Sequence, residues 1–254
     1  WCPSRPNMLT APPREHSACG VGFVASRHGH ASHETLEATL KAVVCVEHRG
    51  GFLADGLTGD GCGVMVDIPF DLLGYQPGEV AVATLFILTP PDRQRRALDI
   101  FEETFLAQGL EVLGYRGVPT NPEVLGPMAR ETQPEILHAI IAWPRSCRTE
   151  ASFSQQLYLA KQRVRTTMKQ GGISQQFYFA SLSTRTIVYK ALTRAEDLPR
   201  FYADLRNPAF KTRFGVFHRR FSTNTRTAWD KAQPFRLIAH NGEINTIKGN
   251  HASA

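Results

Sequence analysis

The sequence predicts an α+β fold in which antiparallel sheets are layered with helices. Three observations carry this. Strand-like apolar runs gather towards the two ends of the 254-residue chain. Helix-periodic segments fill the middle. The order does not alternate strand with helix, as a doubly wound parallel sheet would require.

Each element has a local reason. Residues 19–25 read as a buried strand. Residues 33–48 read as a helix, because Leu36, Leu40, Val43 and Val44 recur at helical spacing. Ser32 supplies an N-cap oxygen and Gly50 a stop. A glycine-rich turn over 56–63 leads into a strand ending at Asp67, and residues 80–88 form a second apolar strand. A helix over 91–108 ends at Gly109, and strands over 111–115 and 135–143 flank a short helix opened by Asn121-Pro122. Residues 154–168 form a helix with Leu157, Ala160, Val164 and Met168 on one side. Strands over 176–183, 186–191, 213–221 and 235–240 complete the reading.

Composition excludes several classes. Apolar residues make up 42% and charged residues 20%, which are globular proportions. The run at 80–88 is too short to cross a bilayer. The net charge of +6 is spread along the chain rather than clustered as a nucleic-acid footprint. Five cysteines, odd in number and without a C-x-x-C pair, argue against a disulfide framework or a zinc site. Residues 1–18, with prolines at 3, 6, 12 and 13, read as an irregular leader without the apolar stretch of a secretory signal.

Four segments can carry chemistry, and each has a plainer alternative. Cys19 is either a small buried residue or a nucleophile. Arg49, in Glu47-His-Arg-Gly-Gly51, caps a helix end or shapes a site. Strand alternation sets Phe214, Val216, His218 and Arg220 on one face, where Arg220 either pairs within the protein or grips a substrate carboxylate with its fork. Asn241-Gly242 is a turn, or a pair of convergent N–H donors suited to an oxyanion. The 56–63 turn matches neither a P-loop nor G-x-G-x-x-G; its glycines suit close backbone approach.

Taken in order, Cys19-Gly-Val-Gly-Phe, His48-Arg-Gly, the 53–63 run, Ser183-Thr-Arg-Thr-Ile-Val-Tyr-Lys190, Arg220-Phe-Ser-Thr-Asn-Thr225, Gln233-Pro and His240 through Asn250 form a specific set. The chain resembles the class II glutamine amidotransferases, which are N-terminal-nucleophile hydrolases, and is most similar to the members found in glutamate synthase large subunits. The resemblance covers nearly everything from Cys19 onward. It implies an αββα four-layer sandwich of antiparallel sheets flanked by helices. It implies domains at 1–18, a leader or propeptide, and 19–254, the amidotransferase domain. In the family an aspartate further along holds the substrate amine; no segment before Ala254 matches it, so the resemblance implies a domain truncated at its C-terminus.

The resemblance also implies roles. Cys19 would be the nucleophile and its own α-amine the general base. A thiol pKa near 8.5 against an amine near 7.7–8.0 makes that proton transfer cost only about 1 kcal/mol, whereas an amide nitrogen is not basic. Residues 1–18 would therefore have to be removed. Asn241 and Gly242 would hold the oxyanion, Arg220 and Thr223 would bind glutamine, and Arg49 and Gly50 would shape the pocket. No metal is implied in this segment. FMN and an iron–sulfur cluster are implied only for a parent glutamate synthase. The implied partners are L-glutamine, downstream synthase domains, and a small electron-donating subunit or ferredoxin, in the cytoplasm or a plastid. Neither nucleic acid nor membrane is among them. Other class II amidotransferases, an inactive fragment serving as an interaction module, and a Cys–His hydrolase using His48, His218 or His240 stay open as alternatives.

Overall fold

The structure is a computed structural model that describes residues 20–88, 91–174, 177–219 and 227–236. In chain order its main elements are β1 (Val21–Ala25), α1 (His33–Cys45), β2 (Cys62–Asp67), α2 (Phe70–Leu73), β3 (Val80–Ile87), α3 (Pro91–Leu106), β4 (Val112–Gly117), α4 (Pro127–Glu131), β5 (Glu135–Ala142), α5 (Glu150–Gln170), β6 (Phe177–Ser183), β7 (Thr186–Ala191), α6 (Leu198–Phe201) and β8 (Phe214–His218). The strands form two four-stranded sheets, ordered β1-β8-β2-β7 and β4-β5-β3-β6. Every pairing is antiparallel.

The layering follows from side-chain alternation. On β3, Ala81, Ala83, Leu85 and Ile87 point to a core shared with α3 (Ala97, Phe101, Phe105) and α5 (Phe153, Leu157, Ala160, Val164, Met168). Val80, Val82 and Phe86 point the other way, into a core shared with β2 and β7 of the first sheet. Both faces of β3 are therefore buried, which is why its sequence is continuously apolar rather than alternating. Leu36, Leu40 and Val43 of α1 join the inter-sheet core. Each such side chain contributes about 1.5–3 kcal/mol by leaving water. Two sheets with helices against them are the α+β sandwich expected from the chain.

The caps explain the helix starts. The Thr35 N–H donates to Ser32 Oγ at 3.2 Å, as expected. α5 begins earlier than the apolar spacing suggests, because Thr149 and Ser152 form a capping box. α2 and the turns over 195–206 were not anticipated; Leu198, Phe201, Tyr202 and Leu205 bury there instead. No strand forms at Phe235 or Arg236, and the rest of the strand expected over 235–240 lies outside the described residues. No described helix is long and apolar enough to cross a membrane.

Candidate active site

β1 and β8 pair in register, Val21 with His218 and Phe23 with Val216. Pairing continues past the end of β8, where the Arg219 N–H donates to the Gly20 carbonyl at 2.7 Å. This bond fixes the backbone one residue from Cys19. Alternation along β8 has the consequence expected for Phe214, Val216 and His218, which share a face. That face is only half-buried, however, while Gly215, Phe217 and Arg219 are buried. Arg219, a residue the sequence patterning does not single out, is buried at the end of this strand.

Arg219 sits at the junction of three segments. Its Nε donates to Glu47 Oε2 at 2.6 Å, and its Nη2 donates to Glu47 Oε1. Its Nη1 donates to Asp60 Oδ1 at 2.9 Å and, more weakly, to the Gly61 carbonyl at 3.4 Å. Only a planar fork can address a carboxylate with two bonds while reaching a second one. Burial works against this charge, but the Glu47 hydrogen bonds and the neighbouring anionic groups outweigh it and raise the guanidinium pKa above its ordinary value.

Gly50 and Gly20 line the same junction. A Cβ on Gly50 would lie 2.2 Å from Arg219 Cζ, so the guanidinium lies where any other residue would place its side chain. A Cβ on Gly20 would meet the Cβ atoms of Arg49 and Arg219 at 3.2 Å each. Arg49, in the 3₁₀ turn Glu47–Arg49, therefore lies beside Gly20 at the start of β1, and Gly50 follows it against the Arg219 guanidinium. Cys19, Arg220, Thr223, Asn241 and Gly242 lie outside the described residues.

The glycine-rich run behaves as a close-approach turn. Asp55 Oδ1 accepts from the Leu57 and Thr58 N–H groups, and the Thr58 hydroxyl and backbone hold the Asp55 carboxyl down at about 2. A Cβ on Gly59 would fall 2.4 Å from the Thr193 carbonyl carbon, and one on Gly63 would fall 2.6 Å from the Gln233 oxygen. The Asp60 N–H donates to the Gly51 carbonyl at 3.0 Å, stitching this run to the 47–51 segment.

The other described cysteines do not compete as nucleophiles. Cys62 is fully buried, and burial pushes its thiol up to about 12, leaving no thiolate near neutrality. Cys147 is buried under α5, with its thiol against Gln156 Oε1 at 2.8 Å. Cys45 is disulfide-bonded, which the spacing of the cysteines did not suggest. Among the described residues no group of three or more His, Cys, Asp or Glu could hold a metal ion.

Lys190, the last residue of the motif that begins at Ser183, is a second buried cation nearby. Its Nζ donates to the Asp230 carbonyl at 2.8 Å, the Ala232 carbonyl at 2.7 Å and the Tyr178 hydroxyl at 3.1 Å. It thereby ties β7 to the chain that runs on towards Asn241.

Comparison with known proteins agrees with these motifs. The family of class II glutamine amidotransferases matches residues 19–254. The chain is 41% identical over 246 residues to ferredoxin-dependent glutamate synthase 2 of Synechocystis sp., covering 93% of this chain and 15% of that protein. It is 40% identical over 246 residues to the chloroplastic ferredoxin-dependent glutamate synthase of Oryza sativa, with the same two coverages. It is 39% identical over 249 residues to the large chain of the NADPH glutamate synthase of Azospirillum brasilense, covering 94% of this chain and 16% of that one. The chain thus spans about one-sixth of the length of these relatives. It belongs to the class II glutamine amidotransferases.

Proposed function

We propose that this chain is the glutamine-hydrolysing part of a glutamate synthase large subunit. The observation that supports the reading is the convergence of the 47–51 and 58–61 segments on Arg219, whose backbone N–H donates to Gly20, the residue after Cys19. Once residues 1–18 are removed, the free α-amine of Cys19 accepts the thiol proton. The thiolate then attacks the glutamine side-chain carbonyl, forming a C–S bond and an oxyanion. The Asn241 side-chain N–H and the Gly242 backbone N–H stabilise that oxyanion, each donor being worth about 10²–10³ in rate. The C–N bond breaks as the ammonium of Cys19 returns its proton to the leaving nitrogen, and ammonia departs. Water hydrolyses the γ-glutamyl thioester to glutamate and regenerates the thiol. Arg220 clamps the substrate α-carboxylate, Thr223 lines its pocket, and Arg49 and Gly50 shape the wall beside Cys19.

In the parent protein the ammonia would reach 2-oxoglutarate at a second site, making this a step of ammonia assimilation into glutamate. FMN and an iron–sulfur cluster would sit in that other part of the polypeptide. The described residues do not fit a cluster: Cys62 and Cys147 lie in separate cores. The electron donor would be ferredoxin or a nicotinamide-linked subunit, following the relatives' names. The cytoplasm, or a plastid, is the compartment this reading implies.

The test is made on the full polypeptide that carries this sequence. Cys19→Ala is expected to abolish glutamine hydrolysis while leaving the far-UV circular dichroism unchanged. Mass spectrometry of active protein is expected to find Cys19 as the first residue. Full-rate hydrolysis by a chain still joined through Ala18 would refute the amine-as-base mechanism.

A further inference from the structure

We propose that the Glu47–Arg219–Asp60 cluster is the positioning unit of the glutaminase site. It holds Gly20, at the start of β1 and next to the nucleophile in sequence, in one place relative to the 47–51 and 58–61 segments. The inference rests on the reading above and adds residues which that reading does not use.

Three observations and one general argument support it. Arg219 is completely buried and Asp60 is 4% exposed, while the Glu47 side chain is 39% exposed, so the cluster runs from the interior out to the surface with its guanidinium held inside. Its members come from three separate stretches of chain, at residues 47, 60 and 219, and one backbone bond links it to Gly20. Gly50 has no room for a side chain because the guanidinium occupies that space. Finally, buried ion pairs are poor devices for stability, since apolar residues of similar volume hold a fold as well or better. What a fork between two carboxylates supplies is a single orientation. An N-terminal nucleophile needs that, because its amine, thiol and oxyanion donors have to meet one carbonyl within ångström tolerance. Arg219 acts through Gly20 and Gly50 and is a positioning residue.

The experiment compares the full-length enzyme with its Arg219→Lys and Glu47→Gln variants. Hydrolysis by the wild type and its loss in Cys19→Ala establish the underlying reading; without them the function fails, whatever the variants do. With them in hand, Arg219→Lys keeps the charge and loses the fork. Its kcat is expected to fall by about 10²-fold, the usual cost of a small misplacement, with KM for glutamine held within about twofold. The pH-dependent rate of Cys19 alkylation by iodoacetamide should change in parallel. If Arg219→Lys does not fold, Glu47→Gln decides, because it is isosteric and keeps one acceptor oxygen. A folded variant with wild-type kcat and an unchanged alkylation profile overturns the proposal. So does a loss of kcat no larger than the loss of folded protein.

Discussion

Arg219 and Lys190 are both buried to 0% exposure, yet they solve the problem of a buried cation in opposite ways. Arg219 has two carboxylates, from Glu47 and Asp60, and keeps its charge at every accessible pH. The Lys190 Nζ has two backbone carbonyls, a phenol, and the ring faces of Tyr178 and Phe235 at 4.6 and 4.7 Å. None of these neutralises it. Burial therefore pushes Lys190 down to about 7, with Lys161 adding to the effect and Asp230 opposing it. Neutral acceptors and ring faces favour the ammonium, but at Lys190 they do not outweigh desolvation as the two carboxylates do at Arg219. One cation is thus permanent and the other is titratable, although both tie distant segments together.

The sharpest way to break this comparison is to remove the permanent cation. Arg219→Met breaks the buried Arg219–Asp60 pair by removing its cation, and breaking a buried pair from one side typically costs about 3–5 kcal/mol. Urea unfolding should show that loss, and Asp60→Asn in the same background should recover part of it. A loss below about 1 kcal/mol would mean that the carboxylates find other partners, and the contrast with Lys190 would dissolve.

Lys190→Met tests the other half. The unfolded lysine keeps its proton up to about its ordinary 10.5, whereas the folded one gives it up near 7. Below pH 7 both states are charged and the whole burial penalty stands. Between about 7 and 10.5 the unfolded chain binds more protons, so stability rises with pH. The difference in unfolding free energy, wild type minus Lys190→Met, should climb by up to about 1.4 kcal/mol per pH unit across that window. A flat difference would mean that Lys190 is as permanently charged as Arg219.

The two cations were not equally visible in the sequence. Lys190 stood at the end of a quoted motif, but nothing in its neighbours showed that its partners are carbonyls 40 and 42 residues away. Arg219 follows on the face opposite Phe214, Val216 and His218, so an apolar stripe along the strand does not point to it. Phe214, Val216 and His218 look like a core stripe, and the burial of Gly215 depends on Thr39 of α1, which a Cβ there would strike at 2.4 Å. By contrast, helix α1, strand β3 and strand β7 were legible because cap, period and length agreed locally. Helix α5 was found, but its first turn was missed because it depends on the Thr149–Ser152 capping pair rather than on apolar spacing. The resemblance alone singles out Arg49 and Gly50, and the reason Gly50 is glycine comes only with the guanidinium packed against it.

His138 is a third buried titratable group and gives the smallest expected effect. It lies on β5 at 0% exposure, edge-on to Tyr189, and neither ring nitrogen has a hydrogen-bond partner. Burial, reinforced by Arg116 and opposed by Asp204, pushes its pKa down to about 3. It is therefore neutral in the folded state, with no hydrogen-bond partner on either ring nitrogen and with Asp204 outweighed by burial, and it marks the limit that Lys190 approaches. His138→Phe replaces an unsatisfied polar ring by an apolar one beside Tyr189. At pH 7 the gain should be about 1 kcal/mol or less, because a slightly larger ring offsets part of the relief. The clearer signal lies in acid. Between about 3 and its ordinary 6.5 the unfolded histidine is protonated and the folded one is not, so wild-type stability falls as pH drops through that window. The variant should lose that component, up to about 1.4 kcal/mol per pH unit, and its acid midpoint should move lower. An unchanged midpoint would mean that His138 accepts a proton without unfolding the sheet, with Asp204 serving as the counter-charge that Lys190 lacks.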